Sequence, residues 1–369
     1  MEHSFTPVIK DILFQLYGKD AAEIYSKNLL LQYINEKTKS ANKGSKSRSS
    51  FANLYAVYVV IEDYIAHGFE KNSKYINYEG AQFSRLFQRQ RELPFGSKLQ
   101  NHALNNRMNA EFQKFFPTSD ITPILRNLET NRYWINENLL LVKVHRNKYN
   151  IAKAIISIID EYVKVKQDSL QRFIKQCEDL QALEDNDSEN VHEFVVGLLA
   201  PNVDARLFEI VSFSILKYYY REQTIIWGYS WENLNEEALK LYKTGRTNAN
   251  DGGIDFVMKP LGRFFQVTET LDFKKYFLDI EKIEKYPITF VVKSLEDVDV
   301  LKDKLYQDAS KTYIVEDIVN KYMECIEEII NIPTLLQHFQ SIEETGLTPN
   351  VLKEIILQSR VEFNYEDDL

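Results

Sequence analysis

Cysteine is nearly absent: only Cys177 and Cys325 occur in 369 residues. Two are too few for a disulfide framework or a cysteine-built zinc site, and a reducing cytoplasm is the simplest setting. Glycine (12) and proline (9) are also scarce, which favours long regular elements, mostly helices. No apolar run reaches the roughly 18 residues a membrane span needs. The first twenty residues hold no basic segment followed by a long apolar one, so no secretory leader is expected. Walker loops, HExxH, GxSxG and internal repeats are missing, leaving no support for a nucleotide-driven motor, a zinc protease or a serine hydrolase. Net charge is −9, so there is no global attraction to nucleic acid, although local basic charge can still provide one.

What is present is apolar and aromatic. Hydrophobic residues make up 44% and include 22 Tyr and 22 Phe, enough for a substantial core and more than one domain. Residues 1–36 read as two helices, with Asp20 placed to cap the second. Residues 37–50 change character: Lys37, Lys39, Lys43, Lys46 and Arg48 appear without an acid among Ser, Asn and Gly. Such a segment is a solvated linker or a basic arm that lies on phosphates. A strong helix is expected over 51–67, then helices over 80–92 and 98–116. These last two carry Arg85, Arg89, Arg91, Lys98 and Arg107, interleaved with Gln88, Gln90, Asn101, Asn105 and Asn109. Arg, Asn and Gln can read base edges bidentately. Asn101, Asn105 and Met108 would share a face at helical spacing. An ordinary exposed face is the competing reading.

A short helix is expected over 121–129, a hairpin over 132–144, and a long helix over 151–183. The polar run 185–188 marks the preferred domain boundary. Two further helices are expected over 313–339 and 349–359.

The most informative stretch is residues 245–269. Asn248 to Gly253 is turn chemistry. Residues 254–258 are a β-rich run carrying Asp255, Pro260 to Gly262 form a turn, and 263–268 are a second strand. Gln266 and Thr268 share one strand face, with Phe265 and Val267 on the other, expected to face the core. This hairpin resembles the catalytic hairpin of the PD-(D/E)xK nuclease superfamily, Mrr-like branch. That branch often carries a Gly-Gly-Ile-Asp strand followed by Gln-x-Lys; here stand Gly252, Gly253, Ile254 and Asp255, then Gln266, Val267 and Thr268. The order of elements is also similar: a helix over 204–220 with Glu209, a strand-like segment at 223–227, the hairpin, a helix over 273–285, a strand over 288–293 and another helix. The resemblance covers roughly a quarter to a third of the chain.

There is one departure. Thr268 occupies the family's lysine position. Either a lysine from elsewhere supplies the ammonium (Lys259, Lys274 and Lys275 are nearest), or the mechanism dispenses with it, or the site is inactive. The resemblance implies an α+β chain: a mostly helical recognition and dimerisation region (1–185), an α/β core with a mixed central sheet flanked by helices (190–312), and a C-terminal helical extension (313–369). It further implies Mg²⁺ held by Asp255 and Glu209, with Gln266 and Thr268 beside them. Glu269 is a reserve candidate on the opposite strand face. The expected activity is cleavage of double-stranded DNA by a type II restriction endonuclease, as a homodimer without nucleotide cofactor. The alternatives are a modification-dependent nuclease and a binding module that has lost catalysis.

Overall fold

The computed structural model describes residues 2–39, 47–71, 74–97, 99–182, 188–244, 254–269 and 271–363. The fold is α+β. The chain divides into two compact units, residues 1–172 and 173–365. The division falls inside the long helix Ala152–Ala182, upstream of the boundary expected at 185–188, most of which lies outside the described residues.

In the first unit the helix Ser47–Ala66 is apolar on nearly all sides. Leu54, Tyr55, Val57, Val59, Val60 and Ile61 are all buried, which is how a helix reads at the centre of a core. Against this core lie Ile155, Ile158, Ile159 and Tyr162 of the long helix, buried at i, i+3, i+4 and i+7. Three helices, not two, open the chain: Thr6–Tyr17, Ala21–Lys27 and Leu29–Lys37. The capping residue is Asn28, which accepts Leu31 N–H at 2.9 Å. Asp20 instead accepts the Tyr149 hydroxyl at 2.5 Å.

Residues 124–127 form a strand, not part of a helix, pairing Ile124 with Ile135. Asn109 pins that strand from the side: its Oδ1 accepts Ile124 N–H (2.9 Å) and its Nδ2 donates to Ile124 O (2.8 Å). The hairpin expected over 132–144 is split. Arg132–Ile135 pairs back to Ile124–Asn127, and Leu141–Val144 pairs forward to Asn147–Asn150.

The second unit is organised on five strands: β1 (Lys240–Lys243), β2 (Phe256–Lys259), β3 (Arg263–Thr268), β4 (Ile288–Val292) and β5 (Ile326–Ile330), in the order β5-β4-β3-β2-β1. β1, β2 and β3 are antiparallel neighbours; β3, β4 and β5 are parallel. β2 and β3 are joined by the expected tight turn, where Gly262 takes φ +69°. The parallel steps need crossovers. Helix α2 (Phe273–Lys282) supplies the first; α3 (Val298–Ser310) and α4 (Glu316–Glu324) supply the second. All five residues of β4 are buried, as a parallel strand covered on both faces requires. On one face Phe290 and Val292 pack with Tyr276, Phe277 and Ile280 of α2 and Leu301 and Leu305 of α3. On the other, helix α1 (Ala205–Arg221), the upstream helix, sets Phe213 against Phe256 (5.1 Å between ring centres) and Tyr220 against Phe265.

Residues 313–339 are not continuously helical, because β5 interrupts them before the helix Ile332–Glu344. Residues 313–363 are therefore part of the second unit, not a helical appendage. Cross-sheet polar contacts hold β5 there: Arg263 donates to Thr289 Oγ1 at 2.9 Å and pairs with Glu328. The strand-like segment at 223–227 is real, but among the described residues Thr224–Ser230 pairs only with Asn233–Ala238, in a separate hairpin.

Candidate active site

Asp255 stands one residue ahead of β2 but is already held in the ladder. Its N–H donates to Phe265 O and its carbonyl accepts Thr244 N–H, both at 2.9 Å. Continuing the Phe256↔Phe265 register sets Asp255 opposite Gln266. The Asp255 carboxylate accepts the Val267 backbone N–H at 2.7 Å. Burial raises its pKa to about 7, and the neighbouring Glu209 charge adds to the rise. The Val267 hydrogen bond and the ammonium groups of Lys243 and Lys275 pull the other way.

Glu209 lies in the upstream helix, whose start is capped by Asp204 through Arg206 N–H at 2.8 Å. Its Oε1 is 2.9 Å from Lys243 Nζ, at the end of β1. Lys243 had no place in the reading of the sequence. The signal was the alternation of buried Leu239 and Leu241 with exposed Lys240 and Tyr242, a period-2 edge strand that aims Lys243 at the acids.

Gln266 and Thr268 are both buried. The polar face of β3 is thus as enclosed as the Phe265 face, because the sheet is covered on both sides. Gln266 Nε2 donates to Val267 O at 3.2 Å, while its Oε1 is buried with no hydrogen-bond partner among the described residues. Thr268 Oγ1 accepts from Lys275 Nζ at 3.1 Å. Lys275 sits in the first turn of α2, which begins where Asp272 caps Lys274 N–H at 3.0 Å. Of the three nearby lysines, Lys275 alone contacts the motif. Lys259 lies over Tyr242 and Lys274 over Phe273. Glu269 is held by the buried Lys293, at 2.7 Å.

The site therefore gathers two carboxylates, an unpartnered amide oxygen and two ammonium groups. Oxygen donors suit a hard cation. Asp255, Glu209 and Gln266 Oε1 are donors of that type, and Lys243 balances part of the carboxylate charge. Among the described residues, no group of three or more His, Cys, Asp or Glu is gathered as a ready metal cage.

The presumed nucleic-acid residues are dispersed in their roles. Arg89 makes a bidentate pair with Glu62, at 2.9 and 2.8 Å. Arg91 donates to Ser97 O at 2.9 Å and lies over Phe87. Gln90 is buried. Arg85, Asn101 and Arg107 are exposed. Asn105 is exposed too, but its Oδ1 already accepts from Arg126 (3.0 Å) and Tyr133 (3.3 Å). Met108 does not share a face with the asparagines; it is fully buried. Ala103–Arg107 is a π-helical turn, which breaks the i, i+4, i+7 register. Lys37 pairs with Glu111 at 2.5 Å and belongs to the core side of its helix. Lys43, Lys46 and Lys98, the side chain of Arg48, and the turn 248–253 lie outside the described residues.

No family model, curated protein or solved structure matches this chain.

Proposed function

We propose that this chain is a divalent-metal-dependent endonuclease acting on double-stranded DNA at a specific site, in a reducing cytoplasm. One observation carries the reading: Lys275 brings its ammonium to Thr268 Oγ1, beside Asp255. Thr268 was the ground for expecting an inactive relic. A lysine reaching the same position from the following helix removes that ground. With the separate hairpin of residues 224–238 set aside, the αβββαβ order of the helices and central-sheet strands supports the same reading, as fold-level analogy.

Asp255, Glu209 and Gln266 Oε1 would hold the cation. Bound there, magnesium would lower the pKa of an attacking water and offset phosphate charge. The chain's own residues do the rest. Lys275 stabilises the negative charge that develops on the phosphoryl oxygens as the leaving group departs. Thr268 fixes that ammonium through its hydroxyl. The Val267 N–H holds one oxygen of Asp255 and leaves the other to bind. Burial of Gln266 and Thr268 keeps bulk water from competing for these groups.

The test is digestion of methylated and unmethylated plasmid with Mg²⁺ or Mn²⁺ against EDTA. Discrete bands on unmodified DNA are expected. Bands on modified DNA alone would make it modification-dependent. A retained gel shift without cutting under either ion would mean a binding module and overturn the nuclease reading.

A further inference from the structure

The hairpin of Thr224–Ser230 and Asn233–Ala238 takes no part in the site described above. It is a two-stranded sheet by itself, and an isolated pair of strands is marginal in water. It is also unusually apolar outside: Ile226 is 70% exposed, Tyr229 93% and Trp231 92%. Ile226 lies on one face of the strand and Tyr229, in ring contact with Trp227, on the other, so both faces present apolar surface. The hairpin is nevertheless well built. A side chain at Gly228 would come within 2.0 Å of Asn233 O, so glycine lets the two backbones close up there. Trp227 Nε1 donates to Glu237 at 3.1 Å, and its ring meets Tyr229 edge to face at 5.9 Å.

The two edges differ in charge. Thr224–Ser230 reads Thr-Ile-Ile-Trp-Gly-Tyr-Ser, without charge or proline. The other strand carries Glu236 and Glu237, and the connecting turn carries Glu232. An uncharged, β-rich open edge is a template for another strand. Two Asn233–Ala238 edges brought together would oppose like charges, which is destabilising. Two Thr224–Ser230 edges would not. Antiparallel pairing of identical edges obeys a two-fold axis, so the same surface serves both partners. DNA fits this surface poorly, because the three glutamates would face phosphates with no Lys or Arg on the hairpin to offset them.

We propose that Thr224–Ser230 is the dimerisation strand of this protein: a second copy pairs with it edge to edge, making a four-stranded sheet with the exposed aromatic residues along the join. The proposal does not rest on phosphodiester cleavage. It gives a definite surface to the homodimer expected of an enzyme that cuts two strands.

Sedimentation equilibrium of the full chain tests it, with Ile226→Lys and Ile226→Glu made separately. Ile226 is exposed, so circular dichroism of both variants should match the wild type. The wild type is expected to be a dimer. Each variant is expected to associate at least about tenfold more weakly, because it places like charges on both strands of the join. An equimolar mixture should recover the dimer, since one strand of the join then carries Lys and the other Glu. A monomeric wild type, or dimerisation unaffected by either charge, would overturn the proposal.

Discussion

Asp255→Asn separates the cost of a buried charge from the geometry that holds it. Asparagine keeps an oxygen for the Val267 N–H but cannot ionise. In the wild type the Asp255 pKa rises from 3.8 unfolded to about 7 folded, through burial first and the Glu209 charge second. The folded state therefore holds its proton where the unfolded state has lost it. The sign follows: stability is greatest below the unfolded pKa and falls as pH rises from about 4 to about 7, at about 1.4 kcal/mol per unit for one full proton. Between pH 5 and pH 8 the wild type should lose roughly 3 kcal/mol that the variant keeps. Urea unfolding of both proteins at the two pH values measures the difference. Millimolar Mg²⁺ at pH 8 should restore part of the loss in the wild type only, because a ligand that binds the folded state stabilises it. Parallel pH profiles for the two proteins would refute the reasoning, since Asp255 would then ionise in the fold as an exposed acid does.

Two other substitutions test assignments made from single contacts. Lys275→Met should abolish cleavage while leaving circular dichroism and DNA binding in place, and Lys275→Arg should retain part of the rate; wild-type cutting by the Met variant would reduce the Thr268 contact to a structural one. Arg89→Ala should leave DNA affinity unchanged and cost at most about 1 kcal/mol, because Glu62 already pairs with Arg89 at a half-exposed site; a large affinity loss in a filter-binding assay would return Arg89 to the DNA interface.

The parts of the fold legible in the sequence were those set by neighbours along the chain. Pro260 to Gly262 make their turn from local chemistry, the run at 288–292 is β-rich and apolar except for Thr289, as suits a covered strand, and Asp204 caps its helix two residues on. Hence the α+β class, the hairpin that carries Asp255 and the nearness of Glu209 to Asp255 could be anticipated. The parts not legible depend on distant partners. Ile124–Asn127 is extended because Asn109 holds its edge, and Ile326–Ile330 is a strand because β4 offers a parallel neighbour and Arg263 reaches Glu328. Arg89 looked available for phosphate because Glu62 lies 27 residues away in sequence. Lys275 could be named as one of three lysines, but only the turn into α2 decides which of them meets Thr268.

The division of the central sheet into an antiparallel and a parallel half has a consequence for when the site exists during folding. Asp255 and Gln266 face each other across a hairpin whose contacts are local, and hairpins close in about 1–10 μs. Lys275 reaches them only after α2 has packed against β3 and β4, and a crossover of this kind pays its chain-closure entropy before its contacts form. A chain that has folded the hairpin alone carries the acid without the ammonium. Cleavage activity during refolding should thus lag behind hairpin formation and rise with burial of β4, which makes it a reporter of the completed sheet.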